Sequence, residues 1–324
     1  MVNGHLSDTE TSVPSATMGA ASMRSSRWRV MDSVCVSVVI PTCNRPDLLE
    51  RCLRALAVAI EALGSAGRIE VVITDDSADD ATERMLASRH PWARWVRGPR
   101  RGPAANRNSG VAASRGEWVF FLDDDCIPDP LWLNAYFEAF EKHPDCNVFE
   151  GKTIADRDIR RLDEDSPVNA QGGYLWSCNM VIRRTLFDQL GGFCEGFPYA
   201  AMEDVDMRLR LEAKAERYPF VPAATVCHPY RTSKGVSFVI KSGKSYLRLI
   251  ERHPKLLGKT PWFSLLLNVS RRGRLLLRDA VQCRFRGFGF ALTSFVISAG
   301  FEALARFRHM ATRGAATAAE RPGV

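Results

Sequence analysis

Three adjacent carboxylates, Asp123, Asp124 and Asp125, follow four apolar residues in the stretch VFFLDDDCIPD. Like charges this close repel and raise one another's pKa unless a cation or a set of donors compensates them. Residues two apart on an extended segment point to the same side, so Asp123 and Asp125 can close on one cation. So few oxygen ligands suit Mg²⁺ or Mn²⁺, which complete their shell with water and phosphate oxygens. A metal held in this way neutralises a diphosphate as it leaves. Taken alone, the triplet fits a solvated acidic turn equally well.

Four other clusters weigh against that plain reading. PTCNR supplies small hydrogen-bonding groups and a cation in Pro41, Thr42, Asn44 and Arg45. TDDS supplies Asp75 and Asp76, carboxylates able to accept from a base or a ribose. NRNSG puts Arg107 near a helix start, where a phosphate is a natural partner. MEDVDM offers the paired carboxylates Glu203 and Asp204 at another helix start, downstream of the Gly191–Gly192 turn.

The elements that must position these groups are legible from periodicity. VCVSVVIPT and IEVVITDDS read as buried strands, ARWVRGP as a short third one, and EWVFFL as the next. Between the first two, Leu48, Leu49, Cys52, Leu53, Leu56 and Ile60 fall at helical spacing. AANRNSGVAASRG reads as a helix closed by Gly116, and PLWLNAYFEAFEKH as an amphipathic helix. GYLWSCNMVIRRTLFDQLGGF reads as a strand entering a short helix, and FVPAATVCHPY returns as a strand. Residues 156–165 form a mixed stretch rich in Asp and Arg. Strands alternating with helices imply an α/β protein with a parallel sheet, and ligands of such sheets bind outside the carboxyl ends of the strands. The polar clusters fall on that one edge.

Composition bounds the partners. The chain has 324 residues and a net charge of +7, which hides an asymmetry: residues 228–324 carry 18 basic and 4 acidic residues, whereas the remainder is net acidic. A basic tail on an acidic body suits an anionic surface. Nine cysteines without a C-x-x-C pair are poor material for a disulfide framework or a zinc site and fit a reducing cytosol. Residues 1–31 lack the apolar core of a signal peptide and read as a flexible leader.

VSVVIPTCNRPDLLERCLRAL, VVITDDSADD, ANRNSGVAASRGEWVFFLDDD, GGFCEGF and MEDVDMRLRL together resemble family 2 glycosyltransferases of the GT-A fold. The resemblance covers roughly residues 34–230, with the motifs in the family's order. It implies a Rossmann-like, mostly parallel sheet flanked by helices, a nucleotide-diphosphate sugar donor (UDP-, GDP- or dTDP-linked), Mg²⁺ or Mn²⁺, and transfer with inversion. Carried over by position, Pro41, Thr42, Asn44 and Arg45 line the nucleotide pocket and Asp75 or Asp76 holds the base. Arg107 reaches the donor, and Asp123 the ribose or a metal-bound water. Asp125 is the principal metal ligand, with His228 a further one, and Asp124 belongs to the donor site without an assigned task. Asp204 is the catalytic base, and Glu203 beside it positions the acceptor. Two positions depart from the family pattern: Ser77 stands where a Gly is usual, and Cys194 where an Asp is common. The first leaves open which of Asp75 and Asp76 reaches the base.

The catalytic domain is expected over 32–233, a basic amphipathic helical region that associates with membrane over 234–310, and a flexible tail over 311–324. Within the helical region, Gly287–Phe301 runs fifteen residues without a charge. A spanning helix needs about 20, so an interfacial or re-entrant segment, a packed core hairpin and a span are weighed in that order. A glycan or lipid-linked acceptor on the cytoplasmic face of the plasma membrane follows, with no nucleic-acid partner. Two other classes compete. A sugar-nucleotide-forming nucleotidyltransferase would open with a Gly-rich basic loop that VVIPTCNRPD lacks, and a basic nucleic-acid binder would not explain carboxylates at several strand ends.

Overall fold

The structure is a computed structural model that describes residues 36–64, 69–233, 235–257 and 261–319; the expected leader, 1–31, lies outside them. Every residue of β1 (Val36–Thr42) is buried, as its unbroken β-branched run requires of a strand covered on both faces. Parallel to it lie β2 (Ile69–Asp75) on one side and β4 (Trp118–Leu122) on the other, and β3 (Ala93–Arg97) extends the sheet beyond β2. The register sets Thr42 against Asp75, so the polar ends of β1 and β2 arrive side by side.

Beyond β4 the sheet changes direction. β8 (Asn179–Arg183) is antiparallel to β4 and to β6 (Val148–Ala155). β6 is parallel to β9 (Phe220–His228), and the two-residue β5 (Ile127–Pro128) closes the edge, giving the order β3-β2-β1-β4-β8-β6-β9-β5. β7 (Glu164–Asp165) and β10 (Arg231–Thr232) form a separate ribbon. The sheet is therefore mixed as well as mostly parallel, with β6 inside it although its segment shows no clean alternation in sequence.

Helices cover both faces. α1 (Pro46–Leu63) starts on Pro46, whose missing N–H costs nothing there, and stops on Gly64 in the left-handed region (φ 70°). α2 (Ala81–Arg89) and α3 (Pro103–Ala113) connect the parallel strands. α3 ends at Ala113 rather than at Gly116, because the Ser114 hydroxyl bonds the Val111 carbonyl (2.9 Å) and turns the chain out. Gly116 is needed instead for close approach, since a Cβ there would overlap the Ser37 backbone. α4 (Trp132–Lys142) packs an aromatic face in which Trp132 and Tyr136 meet Phe120 edge-on. α5 (Arg184–Leu190) is closed by Gly191 (φ 73°), and α6 (Glu203–Ala213) begins on the carboxylate pair.

The C-terminal extension is helical: α7 (Val236–Arg252), a 3₁₀ turn (Pro254–Leu257), α8 (Pro261–Gln282) and α9 (Phe288–Ala319). α8 and α9 form an antiparallel hairpin, as Trp262 bonds the Met310 sulfur and Arg272 pairs with Glu302. The hairpin turn is tied to the body by the Leu162 amide donating to the Arg286 carbonyl (2.9 Å). α9 runs on to Ala319, so a helix occupies most of the stretch expected as a flexible tail from 311; residues 320–324 lie outside the described ones.

Candidate functional site

A cleft of about 740 Å³ opens at the carboxyl ends of β1, β2 and β4. Pro41, Thr42, Asn44, Arg45, Asp76, Arg107, Asp123 and Glu203 line it, which brings five separate sequence clusters to one place. Asn106 stitches the strand ends together by donating to the carbonyls of Thr42 (3.2 Å) and Thr74 (3.0 Å). Ser77 does the same for the loops: its hydroxyl accepts from the Asn44 amide (2.7 Å), and its own amide donates to Asp75 (2.9 Å). The departure from Gly at this position thus has a local use.

The two carboxylates of TDDS divide. Asp75 is buried under the cleft, accepting also from the Trp95 indole (3.2 Å). Asp76 lines the cleft and accepts from the Arg100 amide (2.8 Å). A Cβ at Gly98 would collide with the side chains of both Asp76 and Asn106, so that glycine lets them close. Asp124 is likewise beneath the surface, accepting from the Thr42 hydroxyl (2.7 Å) and pairing with Arg45 (2.8 Å). Burial pushes its carboxyl up to about 7 against the pull of Arg45 and Thr42.

At the floor of the cleft Arg107, itself buried, bonds Asp123 (2.7 Å) and faces Glu203 at 3.7 Å. Burial disfavours its charge, but Asp123, Asp204 and Glu203 outweigh that and hold the guanidinium more firmly protonated than usual. Reciprocally, Arg107 overcomes burial at Asp123 and keeps it below the ordinary carboxylate range. Glu203 and Asp204 behave oppositely. Burial, then the charge of Asp204, push Glu203 up to about 7. Burial also raises Asp204, with Arg107 and the Ser177 amide offsetting only part. Of the pair, Glu203 lines the cleft, whereas Asp204 accepts from the Ser177 amide (3.2 Å) through one oxygen. Its other oxygen, Oδ1, is buried without a hydrogen-bond partner among the described residues.

Asp125 and His228 come together from β-strand ends far apart in sequence, with Nε2 at 3.4 Å from Oδ1. His228 Nδ1 faces its neighbour's carbonyl, Pro229 O (3.0 Å), which selects the tautomer with the proton on Nδ1 and the lone pair on Nε2. A backbone partner on the far nitrogen is the usual support of a metal-bound imidazole. Arg231 donates to that lone pair (2.8 Å) and forms an ion pair with Asp125 Oδ2, while Arg45 stands 3.5 Å from the same oxygen. One carboxylate and one imidazole nitrogen therefore converge on a cationic group. This donor set fits a divalent metal that takes its remaining ligands from water and phosphate, Mn²⁺ better than Mg²⁺ because of the nitrogen. Cys126 lies near both, with its thiol pushed well up by burial.

Sequence reading missed several residues that hold the site. Arg231 carries no motif and is found only by its contacts. The Glu150 carboxylate on β6, fully buried, accepts from the amides of Gly173 (2.6 Å), Tyr174 (2.7 Å) and Leu175, and so shapes the loop that presents the Ser177 amide to Asp204. Asn108 clamps Phe193 through both its amide and its carbonyl (2.9 Å each), and Gly192 (φ 71°) must lack a side chain to permit it. A buried Asp two residues beyond the Glu203–Asp204 pair, Asp206, accepts from Arg210 (2.8 Å), Arg252 (2.8 Å) and His253 (2.9 Å). The sequence signal for Glu150 and Asp206 was only their acidity within apolar surroundings.

A curled, mostly parallel sheet with an acidic, arginine-floored cleft at its strand ends is a GT-A glycosyltransferase architecture. Residues 37–191 match the family described as "Glycosyl transferase family 2". The chain carries a family 2 glycosyltransferase domain. It is 29% identical over 245 residues to the pre-mycofactocin glycosyltransferase of Mycobacterium tuberculosis, covering 68% of this chain and 48% of that protein. It thus spans about half the length of that relative. It is 26% identical over 296 residues to the N-acetylglucosaminyl-diphospho-decaprenol L-rhamnosyltransferase of the same organism, covering 76% of this chain and 92% of the relative. Among solved structures, the mannosyltransferase PcManGT from Pyrobaculum calidifontis, in complex with GDP-Man and Mn²⁺, superposes with a TM-score of 0.55 at 17% identity. That match covers 90% of this chain and 95% of the other. S. aureus TarS superposes at 0.51 and 19% identity over 73% of this chain and 42% of its own. At such identities the likeness speaks for the fold.

Proposed function

We propose that this protein transfers a sugar from a nucleotide-diphosphate donor to a hydroxyl acceptor, with inversion at the anomeric carbon and dependence on a divalent metal. The observation that carries this reading is the floor of the cleft, where one buried arginine, Arg107, links the donor-side Asp123 to the acceptor-side Glu203–Asp204 pair. Asp76 is assigned to the base, since it rather than Asp75 faces the cleft. Pro41, Thr42, Asn44 and Arg45 form the nucleotide wall, and Asp123 takes the ribose or a water.

Direct displacement requires the acceptor hydroxyl to lose its proton as it attacks, and a carboxylate within reach contributes about 10²–10⁴-fold. Asp204 is that base, with its buried, unpartnered Oδ1 as the proton acceptor; Glu203 orients the hydroxyl from the cleft wall. The transition state has oxocarbenium character, and Arg107 stabilises the negative charge that grows on the leaving diphosphate. Asp125 and His228 would hold the metal, which supplies further charge neutralisation there. The relative that acts on a decaprenol-linked sugar and the mannosyltransferase bound to GDP-Man and Mn²⁺ support a lipid-linked acceptor and a manganese site. The basic helical extension supports peripheral attachment to the inner face of the plasma membrane.

The test is donor hydrolysis across a panel of UDP-, GDP- and dTDP-sugars. Slow release of nucleoside diphosphate that stops with chelator and returns with Mn²⁺ or Mg²⁺ is expected. Release of pyrophosphate would instead identify a nucleotidyltransferase, and full activity in chelator would remove the metal from the reading. Asp204→Asn should abolish transfer and keep donor binding; near wild-type turnover in that variant would move the base to Glu203.

A further inference from the structure

A second cavity, of about 490 Å³, lies between the catalytic body and the helices α7 and α9. It opens to solvent, and its size falls in the range of ligand pockets. Its apolar lining is Leu162 and Met202 from the body, Phe238 and Val239 from α7, and Phe290 and Phe301 from α9; Asp163, Glu164 and Glu302, which also reach it, are each paired with an arginine, and Asp165 stands at its rim. It adjoins the chemistry. Phe238 lines both this cavity and the donor cleft, and Met202 immediately precedes Glu203.

α9 presents two faces. Ser294 and Ser298 look into the cavity, and the Ser294 hydroxyl is buried there without a hydrogen-bond partner among the described residues. On the same helix Leu292 and Val296 are exposed, within an apolar stretch, Phe288–Ala311, that is almost wholly unburied. A face of this kind marks a contact with membrane or with another protein surface. On α7, Lys241 and Lys244 flank the cavity residues Ser242 and Gly243 and lie over the Tyr199 ring (5.4 and 5.9 Å). Neither lysine has an ion pair among the described residues, and Tyr199 borders a small recess that also contains Glu203.

We infer that this cavity receives the headgroup-proximal part of the hydrocarbon chain of a phosphate-linked lipid acceptor. The phosphates lie against Lys241 and Lys244, and the sugar hydroxyl reaches Glu203–Asp204. The inference rests on the sugar-transfer reading and narrows its acceptor from glycan or lipid to lipid. The phenylalanines of this space and the exposed apolar face of α9 beside it favour a hydrocarbon chain over a free glycan.

The experiment is calorimetric titration of the full chain, with a nucleoside diphosphate and Mn²⁺ present at saturation to fill the donor cleft. The probes are farnesyl diphosphate, farnesol and inorganic diphosphate. Farnesyl diphosphate should bind at least about ten-fold more tightly than either half-molecule, since chain and phosphate contacts add. Ser298→Phe, which fills the cavity, should weaken it by about ten-fold or more while the fold is retained by circular dichroism. Val239→Trp fills the same space from α7 and is read if Ser298→Phe unfolds. Farnesyl diphosphate binding no better than inorganic diphosphate, or binding unchanged by both fillings, would overturn the lipid cavity. Failure of the nucleoside diphosphate to bind in the first place would instead count against the donor site.

Discussion

At the scale of single residues the site is a set of carboxylates kept apart in protonation by what surrounds them. Arg107 holds Asp123 ionised, while burial and the charge of Asp204 put Glu203 at about 7, and burial raises Asp204. A base must be ionised to accept a proton, and burial raises Asp204 above the ordinary aspartate range, so the acid limb of turnover should lie at higher pH than a solvated aspartate would set. Glu203→Gln removes the neighbouring negative charge and should shift the acid limb of the pH–rate profile to lower pH. An unmoved limb in that variant would mean that the pair does not share the titration. Arg231 makes the second residue-scale prediction. Its guanidinium sits on the two groups, Asp125 and the His228 lone pair, that a metal would use, so protein cation and metal ion compete for one place. Arg231→Gln should therefore tighten Mn²⁺ binding in the absence of nucleotide by about ten-fold, read from the free-ion signal in electron paramagnetic resonance. Equal or weaker binding would show that Arg231 does not occupy the metal's position.

Elements carry the precision that single residues cannot. α6 brings Glu203 and Asp204 to the cleft, and the fully buried Asp206 one turn along fastens α6 to the end of α7 through Arg252 and His253. Burial disfavours the Asp206 charge, but Arg252 and His253 outweigh it and depress its pKa. The stabilisation this gives is present above the ordinary aspartate pKa of about 3.9 and is lost as pH falls through the lower folded value. Asp206→Ala strands those partners and should cost about 1–3 kcal/mol, seen as a lower thermal midpoint at pH 7, with the gap to wild type closing in strong acid. A gap that persists there would assign the loss to packing. The same elements show what a sequence can disclose. The parallel half of the sheet was legible because β1, β2 and β4 are continuous apolar runs ending in polar clusters, and α6 was placed at Glu203 by its acidic first turn. β6 was not, since NVFEGKTIA interrupts its apolar residues with Glu150 and Lys152, and Glu150 makes sense only against the amides of a loop more than twenty residues away. The choice of Asp76 over Asp75, and the meeting of Asp125, His228 and Arg231, depend on side-chain direction and distant strand pairing, which spacing alone does not encode.

Over the whole molecule, charge and apolarity are sorted by region. The catalytic body is net acidic, and the extension carries most of the imbalance, 18 basic against 4 acidic residues after Cys227. Its helical hairpin is apolar outward on α9 and mixed on α8, where Leu266, Leu267 and Leu277 are exposed beside Arg271, Arg272, Arg274 and Arg278. Among the described residues one helix, over the 24 residues Phe288–Ala311, is long and apolar enough to cross a bilayer, yet its antiparallel partner α8 holds arginines midway. A charge at the bilayer centre is costly, so the pair is better accommodated lying in the interface with the arginines at the headgroups. That placement sets the lipid cavity at the level of the acyl chains and the donor cleft toward the water, the order that a membrane-borne acceptor and a soluble nucleotide sugar require. Two forces then hold the protein, and salt separates them. Binding to vesicles containing anionic lipid should exceed binding to neutral ones, as each basic residue near the surface is worth about 1 kcal/mol. At high ionic strength, where the screening length shrinks to about 3 Å, part of the binding should persist through the apolar face. Replacing Val296 and Phe307, both exposed on α9, with glutamate should abolish that persistent part in a flotation assay of the full chain. Complete release of the wild type by salt would reduce the attachment to electrostatics and leave the exposed face of α9 for another copy of the chain to cover.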